Sequence, residues 1–181
     1  AGADLVLIET MSDSYEAKAA VLAAKENCDL PVLVTLIFDE KGKLLTGGTV
    51  DSTVAMLEGL RVDALGVNCS LGPKQMHPII ERLTQVSSLP IIVNPNAGLP
   101  RSENGKTVFD IAPAEFSDLM EEIAGMGVQA LGGCCGTTPE HLRLTIEKCR
   151  KVPFRPPVAK RRTVVSSFSQ AVEIGPKPVI I

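Results

Sequence analysis

The chain has 181 residues, 45% of them hydrophobic and 22% charged, with a formal net charge of -3, a balance that suits one soluble globular core. Mild acidity and an aromatic content of 3% exclude both an electrostatic footprint for nucleic acid and the stacking platforms that bind bases. Apolar runs such as PVLVTLIF and LPIIV fall far short of a bilayer span, and the N-terminus has no basic flank or signal-like segment; with five cysteines and no disulfide-scaffold density, a cytoplasmic chain with reduced thiols and no membrane role is expected.

In chain order, short apolar runs alternate with helical stretches. DLVLIE precedes an apolar-periodic helix from about Ser14 to Lys25, and LPVLVTLIF leads through a loop to a helix starting near Asp51. ALGVNC precedes a helix from about Gln75 to Gln85. LPIIVNPNAG leads through a long loop to a helix opening at Pro113, and VQALGG leads to one with Thr138 as N-cap and Pro139 at its first position. These are five βα units. Their strands are near-continuous apolar runs, the pattern of parallel strands covered on both faces.

Two parallel architectures accommodate such units. A doubly wound sheet needs only five strands, but it usually carries a Gly-rich phosphate turn after the first, and LIETMSD is no such turn. A (β/α)8 barrel needs three more. Yet polar or thiol residues close strand after strand: Glu9 and Thr10, Asp39, Asn68 and Cys69, Asn94 and Asn96, Cys134 and Cys135. Barrel enzymes keep their chemistry at that end. Taken alone, the vicinal pair Cys134 and Cys135 is compatible with idle packing, redox cycling or metal binding.

The segments GADLVLIETMSDSYEAKAA, ALGVNCSLGP, PIIVNPNAGLP and ALGGCCGTTPEHL, in that order, resemble strands 4 to 8 of the homocysteine S-methyltransferase barrel. The likeness covers about residues 1–150. The stretch KRRTVVSSFSQAVEIGPKPVII, within residues 151–181, resembles the connector that leads toward a folate-binding domain in cobalamin-dependent methionine synthases. The resemblance implies an α/β chain of the (β/α)8 TIM barrel family with about five βα units present. The Pro-rich, basic segment after it would lead to a folate domain absent here.

On this resemblance Cys69, Cys134 and Cys135 meet at one barrel mouth and act in catalysis through zinc, with a fourth position open for substrate. Gly132, Gly133 and Gly136 would let consecutive cysteines face one ion, because successive side chains on a regular strand point opposite ways. Glu9 is expected to meet the amino group of homocysteine, and Asn96 to contact substrate or lend its amide oxygen to the metal. The implied activity is methyl transfer to homocysteine, giving methionine. The implied donor is methylcobalamin, with cobalamin and folate bound by other domains of the same enzyme.

Alternatives stay open at this point. A betaine- or S-methylmethionine-dependent member of the family would share the zinc chemistry, and an incomplete barrel would be an inactive or structural fragment. Structural zinc or redox cysteines in an unrelated α/β protein would also place thiols here. Cys28 and Cys149 are expected to pack, Asn68 to orient its loop or bond backbone, and His77 and His141 to be exposed helix-terminus residues. GGT at residues 47–49 is expected to line the mouth.

Overall fold

The computed structural model describes residues 2–177, so positions 178–181 of the expected connector lie outside the described residues. In chain order the elements are β1 (Val6–Met11), α1 (Ser14–Asn27), β2 (Val32–Leu36), α2 (Val50–Gly59), β3 (Ala64–Asn68), α3 (Pro73–Val86), β4 (Ile91–Asn94), β5 (Arg101–Glu103), β6 (Lys106–Val108), α4 (Pro113–Gly125), β7 (Ala130–Leu131), α5 (Pro139–Cys149), β8 (Val164–Ser166) and β9 (Ala171–Glu173). Helix starts follow local chemistry. Asp13 accepts from the Glu16 N–H at 2.8 Å to cap α1, Thr49 and Ser52 form a capping box on α2, and α3, α4 and α5 each open on a proline.

The main sheet runs β1-β2-β3-β4-β7, every neighbouring pair parallel. Strands therefore follow in sequence with no reversal of order. A doubly wound sheet must reverse to place helices on both faces. With right-handed crossovers throughout, consecutive order puts all helices on one side, as in a barrel wall.

The two faces of the sheet accordingly differ. Ile8, Val34, Leu65, Ile91 and Val93 belong to one buried cluster with helix residues Val21, Leu57, Ile80, Leu83, Phe116, Met120 and Ile123. In α3 the buried positions Met76, Ile79, Ile80, Leu83 and Val86 follow helical spacing and seal its inner stripe. Full burial of one such side chain contributes about 1.5–3 kcal/mol. On the opposite face, register places Leu7 beside Leu33, Leu33 beside Ala64, and Ile92 beside Ala130. Coverage there is uneven: Leu5 and Leu7 are 44% and 45% exposed, whereas every residue of β3 is buried. Burial on both faces, expected for all strands, thus fails at β1. Among the described residues nothing pairs with its outer edge or covers its inward face.

Two features depart from the sequence expectation. The long loop before α4 contains an antiparallel hairpin, β5 with β6, closed by Asn104 and Gly105 at φ 51° and 73°; two left-handed residues are what a tight two-residue turn requires. The basic, Pro-rich segment after α5 also does not hang free. Arg155 O accepts from Gln129 Nε2 at 2.8 Å, the Lys160 N–H donates to Ser88 Oγ at 2.9 Å, and β8 and β9 pair antiparallel against α2. Phe168 at the hairpin tip stacks on Tyr15 of α1, ring centroids 5.3 Å apart. The path thus crosses the helical layer from α5 back to α1.

Candidate metal centre

Cys69 lies one residue beyond β3, and Cys134 and Cys135 lie three and four beyond β7. Their sulfurs converge although Cys69 lies 65 positions before Cys134: Cys69 Sγ is 3.7 Å from Cys135 Sγ, Cys134 Sγ is 3.9 Å from Cys135 Sγ, and all three lie within 4.8 Å of one another. Sulfurs bound at about 2.3 Å to a tetrahedral zinc ion stand about 3.8 Å apart. The donor set fits the ion in chemistry and spacing. Cys28 and Cys149 stand outside the cluster, Cys28 at the C-terminus of α1 and Cys149 against the hydrophobic core.

Backbone hydrogen bonds fix this convergence. The Cys69 N–H donates to Asn94 O at 3.0 Å and the Cys134 N–H to Pro95 O at 2.8 Å, so the last residue of β4 and the one after it hold both thiol loops. Asn96 completes the staple: its N–H donates to Leu71 O and its Oδ1 accepts from the Cys135 N–H, each at 3.0 Å. It is 3% exposed. The loops themselves are unusual, with Cys69 and Ser70 at φ 54° and 62°. Non-glycine residues seldom take that conformation outside constrained sites. Gly136, at φ +79°, sits so close to Phe109 that a Cβ would lie 2.4 Å from the ring; only glycine fits there.

Electrostatics favour a cation. Burial, reinforced by the neighbouring Cys69, pushes the Cys134 thiol up to about 11. Crowded sulfurs resist ionising together, and a divalent ion among them reverses that preference.

The other expected residues divide. Glu9 lies in β1 two residues before its last, Met11, toward the same end of the sheet as Asn68 and Asn94, exposed and with no hydrogen-bond partner among the described residues. Asn68 is buried and bonds Thr10 across the sheet, its Oδ1 accepting from the Thr10 N–H at 3.0 Å and its Nδ2 donating to Thr10 Oγ1 at 2.7 Å. Thr49 of the GGT stretch is a helix cap, with its side chain committed to Ser52. His77 is exposed on α3, as expected.

His141 is a correction. It is 5% exposed: Nδ1 accepts from the Thr138 N–H at 3.2 Å, and Nε2 donates to Ile111 O at 3.0 Å. Its ring also meets Phe116 edge-on at 5.4 Å. Third in a helix whose N-cap is Thr138, it replaces the glutamate of a usual capping box, and the turn folds inward.

Comparison with known proteins gives three findings. The sequence profile of the family described as Homocysteine S-methyltransferase matches residues 1–149. Methionine synthase from Mycobacterium leprae is 33% identical over 191 aligned residues, covering 99% of this chain, and that from Mycobacterium tuberculosis is 32% identical over 186, covering 96%. The chain spans 16% of the length of each. Among solved structures, the metallated form of the Escherichia coli homocysteine methyltransferase MmuM superposes with TM-score 0.67 at 25% identity, covering 83% of this chain and 46% of that one, and its apo form with TM-score 0.66 at 24% identity, covering 81% and 50%.

Proposed function

The chain belongs to the homocysteine S-methyltransferase family, and from that membership we propose that it supplies the zinc site and part of the substrate pocket of an enzyme that methylates homocysteine to methionine. The observation that carries this is the spacing of three sulfurs at the end of a parallel sheet, 3.7 Å and 3.9 Å across two of its edges. Cys69, Cys134 and Cys135 would hold the metal. Three protein donors leave one tetrahedral position for a fourth ligand, the arrangement of catalytic rather than structural zinc. Bound there, zinc would lower the pKa of the homocysteine thiol and stabilise its nucleophilic form near neutral pH.

The chain's own residues do the remainder. Glu9, exposed in the C-terminal half of β1, would pair with the substrate ammonium. Asn96, stapled between the two thiol loops, would keep Cys135 in place and border the substrate. The metallated state of the similar Escherichia coli protein supports a metal in this fold. Methylcobalamin is the proposed donor, bound with folate by regions outside this chain. Likeness to the mycobacterial methionine synthases extends over 99% of the chain for one of them, beyond the family profile's end at residue 149, and this favours the cobalamin type over betaine or S-methylmethionine donors.

A second reading rests on the edge of β1, unpaired among the described residues, and the exposed Leu5 and Leu7. The 181-residue chain alone would bind zinc without turning over, and further βα units would be needed to close the barrel.

The test is metal analysis of the purified protein with each cysteine replaced. One zinc per chain is expected, lost in Cys69→Ala, Cys134→Ala and Cys135→Ala and kept in Cys28→Ala and Cys149→Ala. Full zinc retention by Cys69→Ala would refute the site. Methionine formation should appear only when the remaining barrel units are supplied, in the same chain or separately.

A further inference from the structure

Asn68 makes a bond that a flat sheet forbids. It sits on β3, whereas Thr10 sits on β1, with β2 between them. Two strand spacings in a flat sheet are about 9.6 Å, beyond the reach of an asparagine. The 3.0 Å and 2.7 Å bonds to the Thr10 N–H and hydroxyl close because the sheet curls toward its inner face. Asn68 is 1% exposed, so both of its polar ends need partners inside the protein, and the exposed Thr10 supplies them.

The placement of those bonds is specific. The Thr10 N–H belongs to the peptide that joins Glu9 to Thr10, so the bond to Asn68 Oδ1 fixes the plane from which the Glu9 side chain departs. Thr10 has φ 64°, and β1 slips register between Ile8 and Met11; a β-branched residue in that conformation needs something to hold it. At the other end of Asn68 the next residue is Cys69, itself left-handed and tied by its N–H to Asn94 O. One carboxamide therefore links the strand end carrying Glu9 to the loop carrying a thiol of the metal centre.

Resting on the reading that Glu9 receives the substrate amine, we propose that Asn68 is a positioning residue for substrate recognition. It holds Glu9 at a fixed offset from the thiols, so that one amino acid meets both the carboxylate and the metal. It touches neither substrate nor metal. Its contribution is to selectivity for a thiol that carries an amine at the right distance.

The test uses the zinc-loaded protein with the remaining barrel units supplied, in the same chain or separately, and two probes measured by calorimetry, homocysteine and 4-mercaptobutanoate, which lacks only the amino group. Asn68→Ala should keep its zinc, bind homocysteine about tenfold more weakly and bind 4-mercaptobutanoate as wild type does. Asn68→Asp, which keeps an acceptor for the Thr10 N–H, should recover most of the loss. In the Glu9→Gln background, Asn68→Ala should weaken homocysteine binding no further. If Asn68→Ala does not fold, Thr10→Val carries the test, with a severalfold loss for homocysteine alone. Equal weakening toward both probes, loss of zinc, or unchanged affinity would overturn the proposal. A wild-type enzyme that binds both probes equally would instead remove the Glu9 reading and this proposal with it.

Discussion

Replacing Gly136 by alanine perturbs the metal centre without touching a sulfur. The new Cβ would lie 2.4 Å, 2.5 Å and 2.6 Å from three Phe109 carbons, on a backbone held at φ +79°. A left-handed alanine costs about 1 kcal/mol, and overpacking against a seated ring adds about 1–3 kcal/mol. If the whole strain of about 2–4 kcal/mol falls on the loop that presents Cys134 and Cys135, zinc affinity drops roughly thirtyfold to several hundredfold, at about 1.4 kcal/mol per decade. Competition with a chromogenic chelator measures the affinity, and urea unfolding of the metal-free protein measures the strain. Gly125→Ala is the control, because a Cβ there meets nothing within 4 Å; as the last residue of α4 it should be neutral or slightly stabilising. Wild-type zinc affinity together with an unchanged urea midpoint in Gly136→Ala would refute the claim that this contact sets the loop.

Two further outcomes follow from contacts remote from the sulfurs. Arg82 bonds Asp51 at 2.5 Å and 2.9 Å and holds its carboxyl below the ordinary 3.8; this stabilisation is present above pH 3.8 and is lost as pH falls through the lower folded value. Asp51→Asn should therefore lower Tm modestly at pH 7, by the equivalent of about 1 kcal/mol or less after solvent screening, with the gap narrowing progressively as pH is taken below 3.8; a gap that does not narrow on acidification would refute the ion-pair account. Phe168→Ala removes the ring stacked on Tyr15, worth about 0.5–1.5 kcal/mol beyond its buried area, and should speed protease cleavage between residues 151 and 163; unchanged cleavage would show that the tip does not anchor the segment.

The parallel units and the three thiols were legible in sequence because each leaves a local mark. Apolar runs, helix starts at Pro113, Thr138 and Pro139, and the VNC and GGCCG strings lie in the order the structure uses. What escaped depends on partners far along the chain. The burial of His141 needs Ile111 and Phe116, and the bond between Asn68 and Thr10 spans 58 residues and exists only once the sheet curls. The β5–β6 hairpin did carry a signal, Asn104-Gly105, but its exposed three-residue strands have no apolar pattern to support it. The segment after α5 read as a linker because its proline and basic content mask the short apolar stretches Val164–Val165 and Ala171–Val172, which form the hairpin packed on α2.

That returning segment alters how the sheet comes apart. A row of βα units with consecutive strand order resembles a stack of repeats, each held mainly by its neighbours and free to fray from either end. Here the chain leaves the last unit, crosses the intervening helices through contacts at Gln129 and Ser88, and fastens to the first at Tyr15. The two ends of the stack are thereby tethered to each other. Peeling α1 with β1 from one side breaks contacts of the segment rooted in α5 on the other, so terminal units do not melt independently. A sheet belted in this way is expected to lose its structure in one cooperative step.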